Sequence, residues 1–299
     1  MLRSMFAGVS GLRSHQTMMD TVGNNISNIN THGYKSSRTT FQDALYQTIR
    51  GATGGAEDGV DDADGDAGGV NPTQVGLGAR VASIDQNFSQ GGLQTTNRAT
   101  DMAIDGEGFF VVSDEGEVGE GGDGALFTRN GAFSFDENGR LVTGNGQFVM
   151  GYEDPDVTDD GADLDMISAD GLVDGDGDDL AISDLSDISV GNDGLITGRT
   201  SGGEEVTIGR LALANFDNPN GLTRAGNSMF TTSVNSGDPA FSQPGDGSGV
   251  TQGGVLEMSN VDLAEEFTNL IMAQRGFQAN SRTITTSDEM LQELVNLKR

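Results

Sequence analysis

The stretch Leu263-Ala264-Glu265-Glu266-Phe267-Thr268-Asn269-Leu270-Ile271-Met272-Ala273-Gln274-Arg275-Gly276-Phe277 opens a helical pattern that continues to Val295. Leu263, Phe267, Leu270, Gln274, Phe277, Ser281, Ile284, Asp288, Leu291 and Val295 alternate steps of four and three, which lines one face of a supercoiling helix. One heptad position reads Leu263, Leu270, Phe277, Ile284, Leu291 and is wholly apolar. The other holds Gln274, Ser281 and Asp288 seven apart, and polar groups in a seam cost stability but fix register and partner number. Ser259 or Asn260 can cap this helix, and Ser259 with Asp262 makes a capping-box-like pair. A helix of roughly 38 residues is about 57 Å long at 1.5 Å per residue. Gly276 within it costs about 1 kcal/mol relative to Ala. Either it permits a close helix approach or it is a tolerated exposed glycine, and the spacing leaves both open.

The N-terminal segment repeats the pattern. Leu2, Met5, Val9, Leu12, Gln16, Met19, Gly23 and Ile26 follow steps of three and four, and Ile29 continues the stripe. Asn24, Asn25, Asn28 and Asn30 crowd its end, and Gly33 is read as a C-cap. Neither helix can bury its stripe against itself. Pairing of the two ends is expected, and the rod left over requires neighbours, so these stripes are the candidate assembly interface.

Between the helices the chain is β-like. Val81–Ile84, Met102–Ile104 and Phe109–Val112 are short apolar segments, the last preceded by the turn Asp105-Gly106-Glu107-Gly108. Asn130-Gly131 is read as a tight hairpin between Leu126-Phe127 and Phe133–Phe135, and Asn138-Gly139 leads into Leu141-Val142. Further strands are expected at Ile188–Val190, Leu195-Ile196, Val206–Ile208 and Leu211–Phe216. The fold class is therefore α+β: long N- and C-terminal helices forming a coiled-coil-like rod, with a central all-β domain inserted between them. The expected divisions are 1–50 for the N-terminal helix and linker, 51–70 for an acidic loop, 71–254 for the β domain with an acidic insertion at 153–187, and 255–299 for the C-terminal helix.

The 299 residues contain no cysteine and two histidines, His15 and His32, which removes the material for thiolate metal sites, cysteine nucleophiles and histidine triads. Carboxylates abound, but no pairing in sequence marks a cleft for acid–base work, so an enzyme is not expected, nor a cofactor. The net charge of −30 repels phosphate, so nucleic acid is excluded as a partner. The charge is uneven: the tracts Glu57–Asp66, Asp114–Asp123 and Glu153–Asp187 hold most of the excess acid, while the two ends are near neutral and can associate without repulsion. No apolar run is long enough for membrane insertion. No apolar block follows Arg3 and Arg13, so a cleavable signal peptide is not expected. Asp174-Gly175-Asp176-Gly177-Asp178 starts like a calcium loop, but Asp179 and Leu185 stand where Gly and Glu are needed, so no metal site is assigned.

Three sets of residues resemble a known family. Asn25-Ile26-Ser27-Asn28-Ile29-Asn30-Thr31-His32-Gly33-Tyr34-Lys35 is similar to the N-terminal signature of bacterial flagellar rod and hook proteins. Asp105–Phe110 and Phe127–Phe133 resemble their central β domain. Ser259-Asn260-Val261-Asp262-Leu263 and Gln274-Arg275-Gly276-Phe277-Gln278-Ala279-Asn280-Ser281-Arg282 resemble the C-terminal signature. Within the family, Asn71–Gly78, Glu257–Leu263, Gly276–Arg282 and Glu293–Arg299 look hook-like, of a compact type without a large outer insertion, and the distal rod is the alternative. The resemblance implies a subunit that polymerises with itself into a hollow helical tube, a flexible universal joint carrying motor torque to the filament. It implies export by the flagellar type III apparatus to a site outside the cell envelope, with rod, hook–filament junction and hook cap proteins as partners. A secreted acidic calcium-binding or adhesive β-protein is the reading from another class. A calcium titration separates the two.

Overall fold

The computed structural model describes residues 2–53, 69–119, 122–152, 164–169, 185–200 and 202–297, with the side chains of Leu2 and Ser186 left aside. Most of the acidic segments read as loops at 51–70 and 153–187, including Asp174–Asp178, lie outside the described residues. The chain forms two units, one of Met1–Ile26, Ser37–Asp85 and Leu263–Arg299, the other of Ser27–Ser36 and Gln86–Asp262. An N-terminal helix, a β-rich centre and a C-terminal helix follow in order, an α+β chain as the pattern required.

The first unit holds α1 (Leu2–Ser27), β1 (Ser37–Asp43), β2 (Tyr46–Arg50), β3 (Thr73–Gly76), β4 (Ala79–Gln86) and α2 (Leu263–Asn296). β1 pairs with β4, and β2 with β3 in a separate antiparallel ribbon whose side chains are all exposed. Residues 37–50, expected as linker, are thus largely strand. α2 has 34 residues and spans about 51 Å. It begins after Asp262, so neither Ser259 nor Asn260 is its cap. Asn260 instead accepts from Ser36 N at 2.8 Å and donates to Asn87 O at 2.7 Å. Nor does Gly33 cap α1, which ends at Ser27. Gly33 takes φ +67° in a later turn, donates to Glu257 O at 2.9 Å and lies against the Arg129–Asn130 backbone, where a Cβ would stand 2.5 Å from Asn130 N.

The second unit contains β5 (Leu93–Thr95), β6 (Met102–Asp105), β7 (Phe109–Ser113), β8 (Ala125–Thr128), β9 (Phe133–Phe135), β10 (Leu141–Thr143), β11 (Phe148–Tyr152) and β12 (Asp165–Met166). It continues with β13 (Leu185–Val190), β14 (Leu195–Thr200), β15 (Glu205–Leu211), β16 (Leu213–Asn215), β17 (Thr223–Gly226), β18 (Met229–Thr231), β19 (Ala240–Ser242), β20 (Val250–Gly253) and β21 (Val255–Glu257). The main sheet runs β13-β14-β15-β11-β7-β8-β18-β17. β7 is buried on both faces: Phe110 and Val112 join one apolar cluster with Ile104, Phe133 and Leu213, while Phe109 and Val111 join another with Phe127, Met150 and Phe230. A continuous apolar run such as Phe109–Val112 is what a strand covered on both sides requires.

One hairpin differs from the sequence reading. β8 pairs with β7 and β18, and β9 with β10, so Asn130-Gly131 does not join a hairpin. A tight type I′ turn needs positive φ at both central residues, and neither Asn130 nor Gly131 has it. Gly131 instead lets the chain press against Met102, whose N–H donates to Gly131 O at 3.0 Å. The hairpin β9–β10 turns at Asn138-Gly139, with Gly139 at φ +76° and Asp136 Oδ1 accepting from Asn138 N and Arg140 N. Asn227-Ser228, with φ 53° and 61°, supplies the tight turn between β17 and β18.

Candidate assembly surface

α1 and α2 run antiparallel within the first unit, as contacts at five levels show. Ser4 Oγ lies 3.4 Å from Ser287 Oγ. A Cβ on Gly8 would stand 3.1 Å from Ile284 Cγ1, and one on Gly11 would stand 2.5 Å from Asn280 Nδ2. A Cβ on Gly276 would come within 2.4 Å of His15 Nε2, and Asn25 Nδ2 donates to Glu266 Oε1 at 2.8 Å. Each glycine is a notch that receives a larger side chain from the opposite helix, which settles Gly276 as a site of close approach. Burial lowers the polarity around Glu266 and raises its pKa, the Asn25 hydrogen bond opposes this, and Glu265 adds to it.

Ser14 of α1 is buried and donates to Ala79 O, while Gly8, Gly11, His15 and Asn25 meet α2 and Val22 is buried in line with them. The positions that meet α2 lie one residue before the apolar stripe of the sequence, or about 100° around the helix. Met5, Leu12, Met19 and Ile26 are consequently half-buried on the flank, Val9 is exposed, and a Cβ on Gly23 would touch nothing within 4 Å. Ile29 is half-buried beyond the helix end. On α2, Leu270, Ile284 and Leu291 are half-buried, while Leu263, Phe267, Gln274, Phe277, Ser281, Asp288 and Val295 are exposed. Small and polar residues make up most of the seam inside the chain, with Ile284 seated in the Gly8 notch. Most of the large apolar residues of the two stripes are left half-buried or exposed.

The signature residues divide by role. Asn25 is buried and binds β1 on both sides of Ser37, donating to its O at 2.8 Å and accepting from its N at 3.0 Å. Asn28 accepts from Thr31 Oγ1 in the following turn, and Asn280 fills the Gly11 notch. Gln274 and Arg275 are exposed. Tyr34 is buried beneath the Arg224 guanidinium, 4.9 Å from the ring centre. Beside it lies an ion cluster that the sequence reading did not find, because Lys35, Arg129 and Glu257 are far apart in the chain. Lys35 Nζ meets Glu257 Oε1 at 2.6 Å, Arg129 Nη1 meets Glu257 Oε2 at 3.5 Å, and Gly91 N donates to Oε1 at 2.9 Å. All three side chains are buried. Burial pulls the Lys35 pKa down, the Glu257 charge and hydrogen bond push it back up, and Arg129 adds a small further decrease.

The balance between core and surface separates the two units. Both apolar clusters lie in the β unit. The helical unit buries only Val22 and Ala273 among its described apolar side chains, yet it carries 18 of the 21 exposed large apolar ones. Among the described residues no group of His, Cys, Asp or Glu could hold a metal, and no helix is long and apolar enough to cross a membrane. The helical unit thus presents an extensive apolar surface over almost no core of its own.

The family follows from comparison with known proteins. Residues 5–35 match a family described as flagella basal body rod protein, 103–198 one described as flagellar hook protein FlgE/F/G D1 domain, and 252–297 one described as flagellar basal body rod FlgEFG protein C-terminal. The chain is 41% identical over 301 residues to the flagellar basal-body rod protein FlgG of Bacillus subtilis, with all of both chains covered. It is 34% identical over 304 residues to the FlgG of Borreliella burgdorferi and 30% identical over 456 residues to the flagellar hook protein FlgE of that organism, again with full coverage. The chain belongs to the flagellar rod and hook protein family, structural components of the flagellar basal body and hook that are not enzymes.

Proposed function

We propose that the chain is a subunit of the basal-body rod, in its distal part, and polymerises with copies of itself into a hollow helical tube. The observation that carries self-assembly is the helical unit, with almost no core of its own and most of the exposed apolar side chains. On this reading α1 and α2 form a coiled-coil-like rod in the wall of the tube, and the acidic β unit faces water. The stripes from Leu2 to Ile29 and from Leu263 to Val295 supply contacts between subunits. Neighbouring rod and hook proteins and the type III export apparatus are its partners.

Rod takes precedence over hook because of length. The alignment with the Bacillus subtilis rod protein needs 301 residues, whereas that with the Borreliella burgdorferi hook protein extends to 456. The hook-like motifs and the full-length likeness to a hook protein make the hook, a bending joint outside the envelope, the second reading. Immunogold labelling of isolated hook–basal bodies decides: label within the envelope-spanning section supports the rod, and label confined beyond the outer membrane overturns it. A calcium titration that found a tight stoichiometric site, with no polymer formed, would instead favour a secreted calcium-binding protein.

A further inference from the structure

We infer that Asn145 is a site of spontaneous covalent modification, its side-chain amide closing on the backbone nitrogen of Gly146 and giving way to aspartate and isoaspartate, with water as the only co-reactant. The inference is independent of assembly and holds for rod and hook alike. An asparagine before glycine is the reactive case, because glycine has no Cβ to shield its nitrogen or restrict its backbone. The chain has four such steps, at Asn130, Asn138, Asn145 and Asn220. The fold treats them differently.

Two are held by packing. Asn130 Oδ1 accepts from Ala132 N at 3.2 Å, and Gly131 is buried so close to Met102 that a Cβ would collide with Met102 O. Gly221 donates to Asn218 O at 3.0 Å, and a Cβ on it would stand 2.7 Å from the backbone of Asn235. Neither place has room for a five-membered ring to close.

Asn138 and Asn145 occupy hairpin turns of equal length, Asp136–Arg140 and Thr143–Gln147. The same bond closes each turn, from Gly139 N to Asp136 O at 3.1 Å and from Gly146 N to Thr143 O at 2.9 Å. Around Asn138 more is fixed. Its N–H donates to Asp136 Oδ1 at 2.9 Å, Gly139 O accepts from Ala169 N at 2.9 Å, and a Cβ on Gly139 would stand 3.1 Å from Ala169 Cβ. The attacking nitrogen must first lose its proton, and the Asp136 and Glu137 carboxylates oppose a negative charge there. The turn at Asn145 contains no carboxylate. Gly144, Asn145 and Gly146 are exposed, and a Cβ on either glycine would meet nothing within 4 Å. Exposed turns with few contacts open locally at little cost, which frees Gly146 N from Thr143 O.

The atoms balance with water alone. A base takes the Gly146 N–H proton, the nitrogen bonds to Asn145 Cγ, and ammonia leaves. Water then opens the cyclic imide at either carbonyl. One product is an ordinary aspartate. In the other the main chain runs through the former side-chain carbonyl and is one carbon longer. Both place a new negative charge on the β10–β11 turn, and loss of ammonia makes the change irreversible, so its extent records the age of the folded chain.

The test holds full-length chain at mildly alkaline pH, one sample folded and one unfolded in guanidinium chloride. Isoaspartate is counted by enzymatic methylation with an isoaspartate methyltransferase, and the sites are read by peptide mass spectrometry. In the folded chain Asn145 should convert at least about tenfold faster than Asn130, Asn138 or Asn220, and in the unfolded chain the four rates should converge. Asn145→Gln should remove most methyl acceptance from the folded chain. Equal rates at the four sites when folded, a faster Asn138, or a folded chain still unconverted after the unfolded one has reacted overturns the assignment. A spread of rates that persists in guanidinium traces the difference to neighbouring residues and overturns protection by the fold.

Discussion

Replacing Glu257 by alanine removes the single negative charge from a buried cluster of three. Its Oε1 accepts from Lys35 at 2.6 Å and Gly91 N at 2.9 Å, and its Oε2 faces Arg129 at 3.5 Å. Without it two cations remain in the interior, Lys35 donating to Ser89 O at 2.9 Å, and Arg129 donating to Gly106 O at 2.7 Å with its guanidinium over the Phe109 ring. Breaking a buried pair by removing one partner costs about 3–5 kcal/mol, and the orphaned Gly91 N–H adds about 1 kcal/mol. The expected loss is about 4–6 kcal/mol, a large share of the roughly 5–15 kcal/mol that holds an ordinary domain. The chain has no Trp, Tyr34 and Tyr152 are buried in the β unit and the third tyrosine, Tyr46, is already exposed, so the change in tyrosine fluorescence during urea titration follows chiefly the unfolding of that unit. Glu257→Gln, which keeps the shape and can still accept from Gly91, should recover only the smaller part. In Glu257→Ala, nothing then opposes the downward pull of burial on Lys35, so the folded pKa lies further below that of the unfolded chain. The deficit should therefore shrink as pH rises toward 10.5 and deepen as it falls. A loss below about 1 kcal/mol, or one indifferent to alkaline pH, would refute the reasoning.

Three further outcomes can be measured on the same chain. Gly276→Ala should lower the helical melting transition through an overpacking cost of about 1–3 kcal/mol against His15, and His15→Ala should relieve it in the double variant; stabilisation by the single change would contradict the notch. Glu266 has its pKa raised by burial, so its contribution is present below the ordinary 4.5 and is lost as pH rises through the folded value. Circular dichroism at 222 nm should accordingly show the helices losing stability over that window, and Glu266→Gln should flatten the slope. Ser228→Gly should stabilise the β unit by about 1 kcal/mol, because Ser228 sits at φ 61° where an L-residue with a Cβ is disfavoured; an unchanged urea midpoint would count against a turn-imposed strain.

What the sequence made legible was periodicity, because periodicity is local. The alternating threes and fours at both ends, and the runs at Met102–Ile104, Phe109–Val112 and Leu141-Val142, all correspond to elements of the expected type. Which face of a helix meets its partner is not local. The stripes marked the most apolar face, whereas the seam between α1 and α2 lies one residue away, where Gly8, Gly11 and Gly276 allow the backbones to approach. The Asn130-Gly131 misreading has the same origin, since that glycine is required by Met102 from another strand and not by a turn. The ion cluster left no local trace, its members being 222 and 128 residues apart. Motif likeness pointed to the family, while the chain's length relative to its relatives moved the preference from hook to rod.

The Lys35–Glu257 pair also changes the topology of the search by which the helices find each other. Ser4 and Ser287 are 283 residues apart in the chain, a long loop to close from a random coil. Once the pair spanning 222 residues has formed, only about 61 residues of free chain separate the same two points. With closure entropy growing as three-halves of RT times the logarithm of loop length, the remaining search is easier by about 1.4 kcal/mol. The cluster thus acts as an internal tether, raising the effective concentration of each helix for its own partner over that of a neighbouring chain by roughly tenfold. A chain so tethered completes its own helix pair before it exchanges helices with another.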